Sequence, residues 1–548
     1  MNKIKKNYIL PLPLVLIALV ISLPLFTIVG FLFAGVNENW QHLVDTVLPD
    51  YVINSLLLML GVSVGTLSMG VITAWLTSMF DFYGRKFLSW GLLLPLALPA
   101  YIIAYTYTGM LDFAGPVQTL FREISGLEYG EYWFFDVRSL TGAIILLSLV
   151  LYPYVYMMAR SAFIEQSICV LEVSRTLGSS ISSSFIKIAI PLARPAIITG
   201  LSLALMETLA DYGTVQYFGI STFTTGIFRT WYGLDDSVTA AQLSAFLLFF
   251  IFSLILLEKW SRKQAKFHHT SNKYSRIDLI KLSGFKQLLA FIACFLPLAL
   301  GFILPAVQLG FWSATMVSQV FNQEFMLLVW HTLTLAFFTS LVAIVLALIF
   351  AYSKRWWSSP IISYSVQVAS LGYAIPGTII AVGIILPLTW FDQTLNDFFL
   401  DNFNVELGLF LSGSIVALVF AYTVRFLSIS IQAVESGLAK IKPSMDESAQ
   451  ILGTSGFKLL GKVHIPLMRG TVLTAILLVF VDVLKELPAT LLLRPFNFNT
   501  LAVRTYEMAS DERLADAAPS ALAIVLVGIV PVILLSKSIN KSRASGHN

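Results

Sequence analysis

Apolar runs of about 20 residues recur along the whole chain, and no other feature limits its fold so tightly. A helix of that length crosses the ~30 Å hydrocarbon core of a bilayer. Within that core the backbone must satisfy its own hydrogen bonds, which leaves helices or a closed barrel. Twelve runs are legible, at about 9–33, 54–79, 87–110, 140–159, 195–212, 240–257, 287–308, 332–352, 362–389, 408–429, 470–487 and 518–536. They predict an all-α polytopic membrane protein. With 57% hydrophobic and only 12% charged residues, a soluble chain of 548 residues is excluded. The first run, with Pro11, Pro13 and Pro24, is too long for a signal-peptide core and lacks an A-x-A-like end, so it is expected to stay as an anchor. Cys169 and Cys294 have no C-x-x-C spacing, which argues against a disulfide framework or a zinc site and for ordinary burial.

Charge gives the orientation. If Lys3, Lys5 and Lys6 lie inside and the twelve runs alternate, 27 of the 35 lysines and arginines fall on the cytoplasmic side. Six fall outside: Arg122, Arg138, Arg229, Arg494, Arg504 and Arg513. Arg425 is expected near a cytoplasmic helix end, and Lys485 within a span. The excess follows the positive-inside rule and puts both termini in the cytoplasm. The basic stretch from Glu258 to Lys286 is then a cytoplasmic linker beside anionic lipid, not a nucleic-acid patch.

The chain is also written twice. "EVSRTLGSSISSSFIKIAIPLARPAIITG" (Glu172–Gly200) and "ESAQILGTSGFKLLGKVHIPLMRGTVLTA" (Glu447–Ala475) agree at ten of 29 positions at a constant offset of 275. Thr225, Arg229 and Thr230 match Thr500, Arg504 and Thr505 at that offset, while Ala74 and Pro99 match Ala351 and Pro376 at 277. Two repeats, about 1–270 and 271–548, thus share a six-span plan. Six is even, so the second repeat enters the membrane in the same sense as the first, a parallel repeat.

The duplicated segments, about 165–194 and 435–469, fall between the fourth and fifth spans of each repeat on the cytoplasmic side. A helix opened by Glu172 or Glu447 meets Gly178 or Gly453, which can take positive φ and end it. The chain then returns through Pro191 or Pro466, where a span is expected to begin at no cost in lost N–H, followed by Arg194 or Arg469. Two such knobs suit a two-fold cytoplasmic partner.

The spacing E-x-x-x-x-x-G, with P thirteen positions after the G, resembles the EAA loop of ATP-binding-cassette importer permeases, which seats in a groove of the ATPase subunits. The alanines that follow the glutamate in that loop are here Val173-Ser174 and Ser448-Ala449. "LPAYIIAYTYTGMLDFAGPVQT" (Leu98–Thr119), "LADYGTVQYFGISTFTTGIFRTWYG" (Leu209–Gly233) and "LKELPATLLLRPFNFNTLAVRTYEMASDERLADAAPSAL" (Leu484–Leu522) resemble the fused ferric-iron permeases. The resemblance implies a type I importer permease in a bacterial inner membrane. It would pass Fe(III) from a periplasmic ferric-binding protein to the cytoplasm, served by two copies of an ABC ATPase. Thiamine permeases share the two-copy design, so thiamine is the alternative cargo. No Walker A sequence G-x-x-x-x-G-K-[ST] occurs, so ATP would be used by the partner subunit, and no cofactor is expected on this chain.

The fifth span of each repeat carries two acids four residues apart, Glu207 and Asp211, then Asp482 and Glu486. That spacing is expected to put each pair on one helix face. A carboxylate in mid-membrane is costly unless paired or facing water, so these four are candidates to line a cation path; Lys485 could instead neutralise Asp482. Tyr101, Tyr105 and Tyr107 are expected in an aromatic belt or the core, since the second repeat has no tyrosine at the matching positions. Pro95, Pro99 and Pro376 are expected to kink spans three and nine. Arg229 and Arg504, outside, are candidates to dock a two-lobed binding protein, or to pair with Asp235, Asp236, Glu507 or Asp511. The outer loop 111–139, with Trp133-Phe134-Phe135, is expected to lie on the interface. A secondary transporter or channel would use the same spans and acids, but has no need of the doubled loop. A membrane enzyme lacks support, there being no nucleophile–base or His-rich cluster, and the sequence specifies no metal site.

Overall fold

The computed structural model describes residues 12–128, 130–165, 180–263, 279–320, 322–357 and 359–544. The main helices are α1 Leu12–Gly30, α2 Leu48–Met79, α3 Ala100–Leu111, α4 Leu140–Glu165, α5 Ile190–Ala210 and α6 Ser237–Lys263 in the first half. In the second half they are α7 Leu304–Val320, α8 Gln323–Trp356, α9 Gly377–Phe403, α10 Ile415–Ala439, α11 Arg469–Leu484 and α12 Leu514–Ala544. Among the described residues ten helices are long and apolar enough to cross a membrane. Two bent pairs raise the total to twelve: Arg85–Ala97 with Ala100–Ser125 at 93°, and Phe457–Leu467 with Arg469–Leu484 at 84°.

Spans three and nine are broken rather than kinked. In each, a short 3-10 turn (Leu94–Ala97, Gly372–Ala374) ends in an extended residue, Leu98 or Ile375, and a proline then opens the next helix. The proline ring disfavours α backbone for the residue before it, so Leu98 and Ile375 leave the helix.

Two compact units form, and they cut across the sequence repeats. One joins Met1–Gln41 and Ile227–Leu248 to Gln323–Val503; the other joins Phe249–Asn322 and Arg504–Asn548 to His42–Gly226. The first helix of each sequence half therefore belongs to a unit built largely from the other half.

In the first unit, α8, α10 and α11 pack together and α1 lies along α9. Gly383 lets the backbone at Pro24 approach α9, because a Cβ there would collide with it. In the second unit, α2 packs on α4 through Gly61, Gly65 and Gly70, where any side chain would strike Ile144, Ser148 or Val155. Small residues are what lets transmembrane backbones approach closely. Leu58, Val62, Ile103, Ala143, Leu147, Ala204 and Val215 close the core between α2, α3, α4 and α5. Tyr101, Tyr105 and Tyr107 are all buried, and the Tyr107 hydroxyl donates to the Leu300 carbonyl at 2.6 Å. Cys294 is buried, while Cys169 lies outside the described residues. A two-residue parallel ladder, Phe80–Asp81 with Ile280–Lys281, ties the end of the basic linker to the end of α2. The linker's residues 264–278, including His268 and His269, lie outside the described residues.

Candidate functional site

The second duplicated segment is described throughout. A helix, Pro443–Ile451, contains Glu447 and stops at Gly453, whose φ of 80° is the left-handed conformation that glycine adopts without strain. Its N–H donates to the Gln450 carbonyl, and Thr454 N–H reaches back to Ala449. After Gly456 the chain passes through Phe457–Leu459, a π-turn at Leu460–His464 and a single helical turn, Ile465–Leu467, which holds Pro466. The span does not begin at this proline. The chain bends at Met468, and α11 starts at Arg469.

In the first copy, Glu172 and Gly178 lie outside the described residues. From Ser180 on, the return path is seen: Ile181–Ser184, a π-turn at Phe185–Ala189, then α5 with Pro191 in its first turn and Arg194 beyond it. The two π-turns lie 275 residues apart, the offset of the sequence repeat. Neither was signalled by residue type, because a π-turn adds one residue to a helix without changing its composition.

Long-range contacts hold the second segment. The Arg355 guanidinium, at the end of α8, bonds Asp446 through Nε at 3.0 Å and Nη2 at 2.8 Å. It also donates to the carbonyls of Leu438 and Ile441, which follow the end of α10 or close it. The other oxygen of Asp446 is 2.7 Å from Nε2 of the fully buried His464 in the π-turn. The Tyr352 hydroxyl donates to the Gly456 carbonyl at 2.7 Å, and its ring meets those of Phe457 and His464. Beside them, Lys354 pairs with Glu435 at 2.7 Å.

The four span-five acids do not sit as two same-face pairs. α5 ends at Ala210 and α11 at Leu484, so Asp211 and Glu486 lie past the helix ends. Each instead caps a short helix that follows. Asp211 accepts from Thr214 N–H, Val215 N–H and the Thr214 hydroxyl, at the start of Gly213–Tyr217. Glu486 accepts from Ala489 N–H, at the start of Pro488–Leu493. Pro488 has no N–H to continue α11, which is the physical reason for that break.

Glu486 also forms a buried ion pair with Arg425 at 3.0 Å. Arg425 lies in mid-α10, not near the cytoplasmic helix end expected from the charge count. Asp482 pairs with Lys485 at 2.8 Å. The side chain of the half-buried Glu207 makes no ion pair or hydrogen bond among the described residues.

Arg229 is exposed in the helix Phe223–Gly233, and Arg504 is half-buried in Leu501–Ser510. Asp236 is held by Asn37 at 2.6 Å, Asn39 at 2.9 Å and the Thr239 hydroxyl at 2.7 Å. The outer loop contains a helix, Pro116–Ser125, that exposes Val117, Leu120, Phe121 and Ile124 on one face. Its Arg122 bonds the Phe113 carbonyl and the Tyr132 hydroxyl, and Trp133 is 86% exposed. Among the described residues no group of three or more His, Cys, Asp or Glu side chains could hold a metal ion.

Broken spans, an all-α membrane-spanning body and a folded polar segment between spans are features that suit a transport permease. Residues 66–265 match the family model of the binding-protein-dependent transport system inner membrane component. The chain is thus a multi-pass inner-membrane permease of an ABC importer, a transport subunit and not an enzyme. The Fe(3+)-transport system permease protein FbpB 2 of Haemophilus influenzae is 25% identical over 535 residues, covering 96% of this chain and 98% of that one. The ferric transport system permease protein FbpB of Actinobacillus pleuropneumoniae is 22% identical, over 80% of this chain and 64% of its own. The molybdenum transport system permease protein ModB of Haemophilus influenzae is 28% identical, over 36% of this chain and 86% of its own.

Proposed function

We propose that the chain carries Fe(III), delivered by an extracytoplasmic ferric-binding protein, into the cytoplasm by alternating access. Two copies of an ABC ATPase drive it, docked on the segments around Glu172, Gly178, Pro191 and Arg194 and around Glu447, Gly453, Pro466 and Arg469. Both termini lie in the cytoplasm, and the repeats 1–270 and 271–548 descend from one six-span unit. The observation that carries the reading is the duplicated segment, whose return paths share a π-turn at the same offset. Two equivalent knobs suit a dimeric motor, whereas a secondary transporter needs neither. The near full-length likeness to an Fe(3+) permease supports ferric cargo over thiamine.

Of the four candidate carboxylates, Glu207 is the one best suited to meet a passing cation. Asp211 is occupied in capping, Glu486 is neutralised by Arg425, and Asp482 is paired with Lys485. Arg229 and Arg504 serve as matched points for docking the binding protein. The test is uptake of radioactive Fe(III) into proteoliposomes holding the assembled transporter, with binding protein outside and ATP inside, competed with thiamine and with molybdate. ATP-dependent, uncompeted iron uptake is expected. Uptake that persists without ATP would overturn the reading.

A further inference from the structure

Taking the two loops as ATPase docking sites, as proposed above, we propose that the second is braced by a charged clamp, Arg355–Asp446–His464, which couples a push on that loop to the ends of α8 and α10. The guanidinium of Arg355 gathers three pieces of chain. It bonds a carboxylate in the first turn of Pro443–Ile451, the Leu438 carbonyl of α10 and the Ile441 carbonyl just before that turn. Carbonyls at a helix end lack intrahelical partners and need such donors. Asp446 then passes the connection to His464 in the returning π-turn, so the outgoing and returning arms of the loop share one carboxylate.

His464 is fully buried and Asp446 and Arg355 are partly buried, and charge-assisted bonds in such a place are short and geometrically demanding. The clamp transmits a push on the loop to the ends of α8 and α10 without slack.

The first repeat does not carry these three residues. At the matching offsets Arg355 becomes Ser78, Asp446 becomes Leu171 and His464 becomes Ala189. The neighbouring pair Lys354–Glu435 becomes Thr77 and Arg160, which cannot form the same ion pair. Trp75, the counterpart of Tyr352, instead stacks on Phe185 at 4.8 Å between ring centres and meets Phe163 at 5.4 Å. An aromatic contact of this kind tolerates sliding that a carboxylate oxygen held by two guanidinium N–H groups does not. Arg355, Asp446 and His464 are positioning residues for energy coupling.

The test is the ratio of iron transported to ATP hydrolysed, measured on the reconstituted complex with binding protein. Asp446→Asn is expected to lower that ratio at least fivefold while the complex still assembles and its KM for ATP stays within twofold. Asp446→Glu, which keeps the charge, should restore at least half of the ratio. His464→Gln, which still offers a donor to the carboxylate, should behave as the parent, and His464→Leu as Asp446→Asn. Hydrogen exchange of the amides in 443–464 should rise about tenfold in Asp446→Asn. An unchanged ratio and unchanged exchange in Asp446→Asn overturn the clamp. A comparison variant, Gly453→Pro, separates this from failure of the docking reading. If it abolishes uptake while Asp446→Asn does not alter coupling, the clamp falls and the docking sites stand; if it leaves ATP-driven uptake intact, the docking sites fall.

Discussion

Arg425 and Glu486 meet at 3.0 Å in the interior of the unit containing α8–α11, and the bare Cα of Gly377 gives them room. A methyl group on residue 377 would collide with the Glu486 carboxylate and the Arg425 guanidinium together. The pair joins mid-α10 to the break after α11, and Gly377 opens α9 after another break, so one continuous helix and two broken spans converge on one ion pair.

Glu486→Gln should leave a buried guanidinium without its counter-charge and destabilise the fold by about 3–5 kcal/mol. Thermal unfolding of the detergent-solubilised protein checks this, and Asp482→Asn, at a half-exposed pair, should shift the midpoint far less.

Gly377→Ala should be destabilising by about 1–3 kcal/mol, the ordinary range for forcing extra volume into a packed site. Unfolding midpoints again report the loss, and a midpoint equal to the parent's would show that the pair can move aside.

Glu207→Gln combined with Asp482→Asn should cut ferric uptake roughly tenfold, about 1.4 kcal/mol in the rate-limiting barrier, with assembly intact. Glu207→Gln alone should account for most of the loss. Normal uptake in the double variant would remove both carboxylates from the path.

Burial pushes the Asp236 carboxyl up, but bonds from the Thr239 backbone and side chain and from Asn39 and Asn37 outweigh it and hold it below its ordinary value. A depressed carboxylate contributes stability present above its unfolded value, about 4, and lost as pH falls through the folded one. Limited proteolysis near Asn37 and Asn39 should therefore accelerate below about pH 4, and Asp236→Asn should flatten that dependence.

A spin label at Ile124→Cys should be accessible to oxygen and shielded from water-soluble relaxants, since Val117, Leu120, Phe121 and Ile124 form one exposed apolar stripe. Equal access to both reagents would show that the helix stands clear of the bilayer.

The spans were readable because hydropathy over 20 residues is a local quantity, as was the αL turn at Gly453, which needs only the right residue. The helix ends at Ala210 and Leu484 were not. Four-residue spacing argues one face only if the helix continues, and Asp211 and Glu486 are acids that cap the next helix instead. Pro488 was the visible warning in one repeat, and Gly213 a weaker one in the other. The Arg355–Asp446 contact joins residues 91 positions apart, and the Arg425–Glu486 contact 61 apart. Nothing local marks such pairs. The exchange of first helices between the units is hidden for the same reason, since α1 and α7 carry no label saying which half they will pack against.

The wide turns at Phe185–Ala189 and Leu460–His464 each hold one residue more than an α-helix would need. In the first half the wide turn runs straight into α5, so deleting its extra residue would rotate every following side chain of that span by about 100°. In the second half the bend at Met468 stands between the turn and α11, and the same deletion would re-aim the bend instead.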